Sequence, residues 1–324
     1  MTSRSAVSGL APGAGQQFPV LVTGEQYELT AGDYHAVVTG LGAGLRELSY
    51  AGQPVVYGYE PDELPPGAAG QLLAPWPNRV DHGRYEFEGV AYQLDLSEPK
   101  NGNAIHGLTR WAAWEPMHRE PSRVLLRHLP HGYTGYPFSV QVDTEYELTA
   151  GEGLQVTVSA TNRGSRPAPY GTGQHPYFTA GPAALDDWEL ELPAARWLPL
   201  DERGIPSGPA QDIGGTPVDF RNGHPIGDTV LDHALTGLDR AGDGKVWAHL
   251  RSGDRQVMSA IPAWPQTEAA ATPQLCETLS PGASTMRSSP LTRAFGGQVM
   301  GSMATARRCR SPCRVSLVNT WSQP

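Results

Sequence analysis

The chain has 324 residues, 39% of them apolar and 8% aromatic, enough to bury the core of one large domain or two ordinary ones, which argues against a disordered polypeptide. Its formal charge of −9 argues against a nucleic-acid partner, because phosphate recognition is built on clustered Lys and Arg, and points to a neutral or cationic small ligand. The three cysteines, Cys276, Cys309 and Cys313, have no matching His spacing, so neither a disulfide framework nor a metal site is expected.

Residues 1–17 are rich in Ser, Gly and Ala and hold no apolar run of signal-peptide length; they predict a flexible start and a cytoplasmic location. No stretch approaches the roughly eighteen apolar residues that a membrane span needs. Period-two alternation predicts strands at Phe18–Val22, Tyr85–Leu94, Val124–Leu129 and Phe138–Leu148, and Gly151-Glu152-Gly153 reads as a hairpin turn. From Trp188 to Arg221 the recurring prolines predict strand segments joined by rigid turns. With 38 Gly and 30 Pro an ordinary amphipathic helix would be interrupted repeatedly. The expected fold class is therefore all-β, a large antiparallel β-sandwich over residues 18–265.

The tail is different in kind. Residues 251–324 carry three acidic and eight basic side chains, against thirty and sixteen in residues 1–250, and strand alternation fades near Pro265. Residues 266–324 are expected to form an atypical C-terminal segment, frame-shifted or poorly ordered.

Two histidines stand in loop-like strings sixty-nine residues apart: Asn103-Ala104-Ile105-His106-Gly107 and Gly173-Gln174-His175-Pro176-Tyr177-Phe178. Gly and Pro around each allow a turn that projects an imidazole, and imidazoles are the usual acid/base groups near neutral pH; the alternative is a structural histidine in a loop. Tyr177 and Phe178 offer an aromatic floor of the kind that suits the apolar face of a pyranose, unless they are strand core. In Ala74-Pro75-Trp76-Pro77-Asn78-Arg79-Val80 the amide of Asn78 and the five donors of Arg79 can recognise vicinal hydroxyls, or Arg79 can stack on Trp76 for packing. Asp232, in Leu231-Asp232-His233-Ala234, can accept bonds from hydroxyls or stand as a solvated turn residue.

In order and spacing these segments, with Gly204-Ile205-Pro206-Ser207-Gly208 and Gly215-Thr216-Pro217-Val218-Asp219-Phe220-Arg221, resemble the aldose 1-epimerase (galactose mutarotase) family from about Tyr34 to Val257. The resemblance implies a galactose mutarotase-like supersandwich that needs no cofactor and no metal. It implies interconversion of the α and β anomers of a free aldohexose such as glucose or galactose. An acid protonates the ring oxygen while a base takes the anomeric hydroxyl proton; the ring opens, the C1–C2 bond rotates, and the ring closes on the other face. By motif match His175 would be the acid and His106 would polarise oxygens near the reacting centre. Asn78, Arg79 and Asp232 would hold hydroxyls, and Tyr177 would lie against the sugar. The implied partner is a small aldohexose, with no nucleic acid or membrane, and the chain is expected to be a monomer or weak dimer.

One departure stands out. The family's base is a Glu in a C-terminal Ala-x-Glu-Pro string, and no such string occurs in the C-terminal part of this chain. After Asp254 the acidic residues are Glu268 and Glu277, and Glu277, with the better apolar flank, is the candidate base. Codons for Thr285 to Pro290 read two bases later permit the missing string, which makes a shifted frame one explanation. A catalytically weak or inactive sugar-binding protein of the same fold is the alternative reading. A hexose 6-phosphate epimerase would need further Arg or Lys near the site, and a two-carboxylate glycosidase fits less well because the well-placed groups are histidines.

Overall fold

The computed structural model describes residues 21–231 and 233–261 and, as backbone, the strands Val299–Met300, Ala304–Ala306 and Cys313–Trp321. Its central unit is a hairpin. Val140–Thr149 pairs with Gly153–Asn162 in unbroken register from Val140↔Asn162 to Thr149↔Gly153, turning at Gly151-Glu152 where expected. Val140, Val142, Tyr146 and Leu148 on one strand and Leu154, Val156 and Val158 on the other are buried. Each such side chain stabilises by about 1.5–3 kcal/mol, and a one-residue slip would turn the whole row to solvent, so the apolar rows select this register.

Among the described residues the hairpin belongs to a nine-stranded antiparallel sheet. Its order is Glu115–Glu120, Arg123–His128, Val140–Thr149, Gly153–Asn162, Cys313–Trp321, Arg255–Ile261, Val246–Ser252, Glu189–Glu191, His224–Pro225. A four-stranded antiparallel sheet, Gln26–Ala31, Tyr34–Thr39, Leu45–Tyr50 and Gln53–Pro54, packs on it. Tyr27, Leu29, Val38 and Leu48 of the smaller sheet share one core with Leu126, Tyr146 and Leu154 of the larger. The all-β sandwich expected from the alternation is the fold observed. No helix among the described residues is long and apolar enough to cross a membrane.

Two expectations need adjustment. Of Phe18–Val22, residues 18–20 lie outside the described residues, and Leu21 and Val22 precede the first strand, which begins at Gln26. Tyr85–Leu94 is not one strand but a hairpin, Arg84–Phe87 with Val90–Gln93, because Glu88 and Gly89 both take positive φ (51° and 76°). Two such residues make the turn whose twist matches a hairpin, and the alternation runs through it undisturbed. Within the tail, Cys313–Trp321 runs between Gly153–Asn162 and Arg255–Ile261 in the interior of the large sheet; residues 262–298, with Cys276 and Glu277, lie outside the described residues.

Candidate active site

A short spine carries the site. Leu72–Leu73 pairs with Gly173–Gln174, in the register Gly173↔Leu73 and Gln174↔Leu72. The Gly70 N–H donates to the His175 carbonyl (2.8 Å) and the His175 N–H to the Gln71 carbonyl (3.2 Å). Buried Gln174 donates through Nε2 to the Tyr146 hydroxyl (2.9 Å), which donates to the Ala43 carbonyl, so the strand before His175 is tied to the sandwich core.

The other edge of the same spine holds His106. Leu108 and Thr109 donate their N–H groups to the Ala74 carbonyl (2.7 and 3.1 Å), and Thr109 Oγ1 donates to the Leu72 carbonyl (2.9 Å) while accepting from the Ala74 N–H (3.0 Å). Gly107 has φ 68° and lies so close to Ala74 that a Cβ would collide with its carbonyl oxygen; only glycine fits. Arg79 pairs with Ile105, and the His106 N–H donates to the Asn78 carbonyl (2.8 Å). Asn78 and His106 both adopt left-handed backbone (φ 54° and 64°), a sterically costly conformation that gathers where side chains must be aimed.

This arrangement brings the two imidazoles face to edge, ring centroids 5.6 Å apart at 84°, with the Tyr177 ring stacked on His175 at 5.0 Å. Tyr177 is held by its hydroxyl, which donates to the Gly67 carbonyl (3.1 Å). Both rings are buried, His106 at 5% and His175 at 1% exposure. Burial disfavours the imidazolium, pushing His175 down to about 4, with the Arg110 cation pushing the same way. Burial also holds His106 well below its ordinary range, reinforced by His175, Arg110 and Arg79. At neutral pH each ring is therefore an uncharged group with one donor and one acceptor nitrogen.

Arg79 is held from the other side. Its Nε and Nη2 donate to the two carboxylate oxygens of Glu98 (2.8 and 2.9 Å), with the arginine side chain only 6% exposed. Burial alone would raise the Glu98 carboxyl, but the bonds and charge of Arg79 and the amides of Asn103 and Asn101 outweigh it and hold the group below the usual range. Arg203 closes this end: it donates to Asn103 Oδ1 (2.6 Å) and the Asn101 carbonyl (2.9 Å) and pairs with Asp81 (2.8 Å). A Cβ on neighbouring Gly204 would come 2.7 Å from Arg79 Nη1, so glycine lets the loop cover the guanidinium.

The structure thus brings together His106, His175 and Tyr177, with Asn78 and Arg79 adjoining. Arg79 is not stacked on Trp76 among the described contacts; Trp76 packs at 6.2 Å on Tyr136 instead. Phe178 is not part of an aromatic floor but core, bridged to Val56. Asp232 and Glu277 lie outside the described residues. Glu98, Asn103, Arg203 and Arg110 escaped the sequence reading. Asn103 and Gly204 stand in strings that did attract notice, whereas nothing local marks Glu98 as the partner of an arginine nineteen positions earlier.

Fold and site together define a mutarotase-like β-sandwich with a buried pair of imidazoles. A sequence model of the family described as aldose 1-epimerase matches residues 25–257, and the chain belongs to that family. The match takes in Asn78, Arg79, His106, His175 and Asp232 and ends before Glu277. The chain is 37% identical over 214 residues to the uncharacterized protein YihR of Escherichia coli K12, covering 66% of this chain and 69% of that one. It is 30% identical over 176 residues to human galactose mutarotase (52% and 50%) and 29% identical over 210 residues to Escherichia coli aldose 1-epimerase (59% and 59%). It thus spans about half to three-fifths of the length of these two enzymes. Among solved structures, an aldose epimerase homologue from C. elegans superposes with a TM-score of 0.72 at 17% identity, covering 92% of this chain and 99% of that one. A putative aldose 1-epimerase from Escherichia coli K12 does so at 0.72 and 18%, covering 93% and 99%. At such identities these two speak for the fold.

Proposed function

We propose that this chain interconverts the α and β anomers of an aldohexose by acid/base opening and closing of the ring. The observation that carries the reading is the pair of buried, uncharged imidazoles 5.6 Å apart, in a chain whose family is defined by that chemistry. His175 is assigned the proton transfer at the ring oxygen and His106 the polarisation of oxygens at the reacting carbon. Asn78, Arg79 and Asp232 hold hydroxyls, and the Tyr177 ring lies against the sugar. Glucose and galactose are the first substrates to try.

The strength of the acid depends on the base. At about 4, only about one His175 in a thousand is protonated at pH 7. A carboxylate placed near the substrate would favour the imidazolium and raise that fraction. Among the described residues the charges acting on the two rings are cationic or the rings themselves. A carboxylate from outside them, with Glu277 the candidate, therefore has two tasks: to take the anomeric proton and to make His175 a competent acid.

The test is polarimetry of freshly dissolved α-glucose and α-galactose with the whole chain and with His175→Ala. Acceleration that falls by about two orders of magnitude or more in the variant supports the assignment, and an unchanged rate removes His175 from the mechanism. The lack of an Ala-x-Glu-Pro string in the C-terminal part of the chain favours one second reading, a sugar-binding protein with little turnover. Sugar affinity without acceleration would select it.

A further inference from the structure

The loop that covers Arg79 is held in place by one residue. Residues 199–207 form a self-contained tip. Ser207 donates its N–H to the Pro199 carbonyl (2.9 Å), Asp201 to the Ile205 carbonyl (2.8 Å) and Gly204 to the Asp201 carbonyl (2.9 Å), while Asp201 Oδ1 accepts from the N–H groups of Arg203 and Ile205 (2.9 Å each). No side chain in residues 201–207 is buried, so the tip has little apolar surface with which to dock. Among the described residues the hydrogen bonds that leave the tip all involve Arg203. Its Nε donates to the Asn101 carbonyl (2.9 Å), its Nη2 to Asn103 Oδ1 (2.6 Å) and to Asp81 (2.8 Å), and its own carbonyl accepts from Asn103 Nδ2 (2.9 Å).

Those contacts meet the groups that hold Arg79. Asn103 is fully buried, and its amide is spent: Oδ1 on the guanidinium of Arg203, Nδ2 on the Arg203 carbonyl and on Glu98 Oε2 (3.3 Å). A guanidinium offers donors and no acceptor, so Arg203 fixes which end of this amide faces it and leaves the NH2 for Glu98. Asn101, whose carbonyl Arg203 binds, donates Nδ2 to Glu98 Oε1 (3.0 Å). Glu98 takes Nε and Nη2 of Arg79, leaving Nη1 with a 3.4 Å bond to Asn78 Oδ1 and with Gly204 of the tip against it. Resting on the anomerisation reading above, in which Arg79 holds a sugar hydroxyl, we propose that Arg203 is a positioning residue for the sugar: it acts through Asn101 and Asn103 on Glu98, and through Glu98 it aims the one nitrogen of Arg79 left to meet a hydroxyl. A guanidinium free to swing must be ordered on binding, so it holds the sugar more weakly than one already aimed, equally in ground state and transition state. His106 is anchored separately, by its N–H on the Asn78 carbonyl and by Gly107 against Ala74, so the chemical step is spared.

The test measures kcat and KM for glucose mutarotation by the whole chain, Arg203→Gln, Arg203→Lys and Gly204→Ala, together with solvent exchange of the Arg79 Nε–H followed by 15N NMR and assigned with Arg79→Lys. Gly204→Ala reaches the same guanidinium without touching Arg203, because its Cβ would come 2.7 Å from Arg79 Nη1. The expected result in Arg203→Gln and Gly204→Ala is a KM raised about tenfold, a kcat within about twofold of the parent, and an Arg79 Nε–H that exchanges at least about tenfold faster. Arg203→Lys keeps the charge opposite Asp81 but replaces a planar fork by a point charge, so it should lie closer to Arg203→Gln than to the parent. A purely structural role lowers the active fraction, and with it kcat, and leaves KM alone. An unchanged KM, a loss confined to kcat, full recovery in Arg203→Lys, or unaltered exchange at Arg79 each overturns the proposal, while acceleration of glucose by the parent keeps the anomerisation reading. If the parent accelerates nothing, that reading fails, and the exchange of the Arg79 Nε–H alone decides whether Arg203 positions Arg79.

Discussion

Replacing Glu98 with Ala isolates one buried charge and asks how much of the site depends on it. The Arg79 side chain is 6% exposed and spends Nε and Nη2 on Glu98 at 2.8 and 2.9 Å; its other described partner is Asn78 Oδ1 at a marginal 3.4 Å. The substitution leaves the guanidinium buried without its counter-ion, and removing one partner of such a pair costs about 3–5 kcal/mol. Against a typical total of about 5–15 kcal/mol, that is a large share of the stability. It also takes an acceptor from the amides of Asn101 and Asn103. Glu98→Gln keeps the shape and one acceptor oxygen and should lose less. Removing both partners, as in Glu98→Leu with Arg79→Met, should recover part of the stability because no orphan charge remains, yet sugar binding should stay impaired if Arg79 holds a hydroxyl. Urea unfolding at pH 7 with constant slope is the assay. A Glu98→Ala chain within about 1 kcal/mol of the parent would refute the reasoning, since the pair would then be a solvated one.

Acid should destabilise the chain through the imidazoles. His175 titrates at about 4 in the folded chain, against 6.5 for an ordinary histidine, so the unfolded chain binds the extra proton first; stability is whole above pH 6.5 and falls by about 3 kcal/mol by pH 4. His106 adds to the loss in the same direction. His175→Gln should flatten that slope in urea midpoints taken from pH 7 to 4, and an unaltered slope would contradict the burial argument. Gly107→Ala forces a Cβ into left-handed backbone and against the Ala74 carbonyl. The conformation alone costs about 1–2 kcal/mol, and the displaced His106 should lower kcat more than sugar affinity, which polarimetry and calorimetry together would separate.

Much of this molecule is written in short stretches of chain. The rows in Val140–Thr149 and Gly153–Asn162 alternate because a pleated strand has period two, and Gly151-Glu152 closes them because a tight turn needs such residues. The same locality misled at Tyr85–Leu94, where the alternation crosses a two-residue turn without a break. The strings around Asn78, His106 and His175 were legible as a series because each carries its own Gly or Pro punctuation, and the family resemblance follows that order.

Sequence by itself therefore determined the all-β class, the family and the identity of the two histidines. Tertiary structure alone decided that the histidines meet at 5.6 Å across the Leu72–Leu73 spine and that Arg79 is spent on Glu98. The physical reason is range. Backbone preference and side-chain period act over a few residues, whereas burial, and the pKa displacement it causes, exist only once segments distant along the chain exclude water from one another.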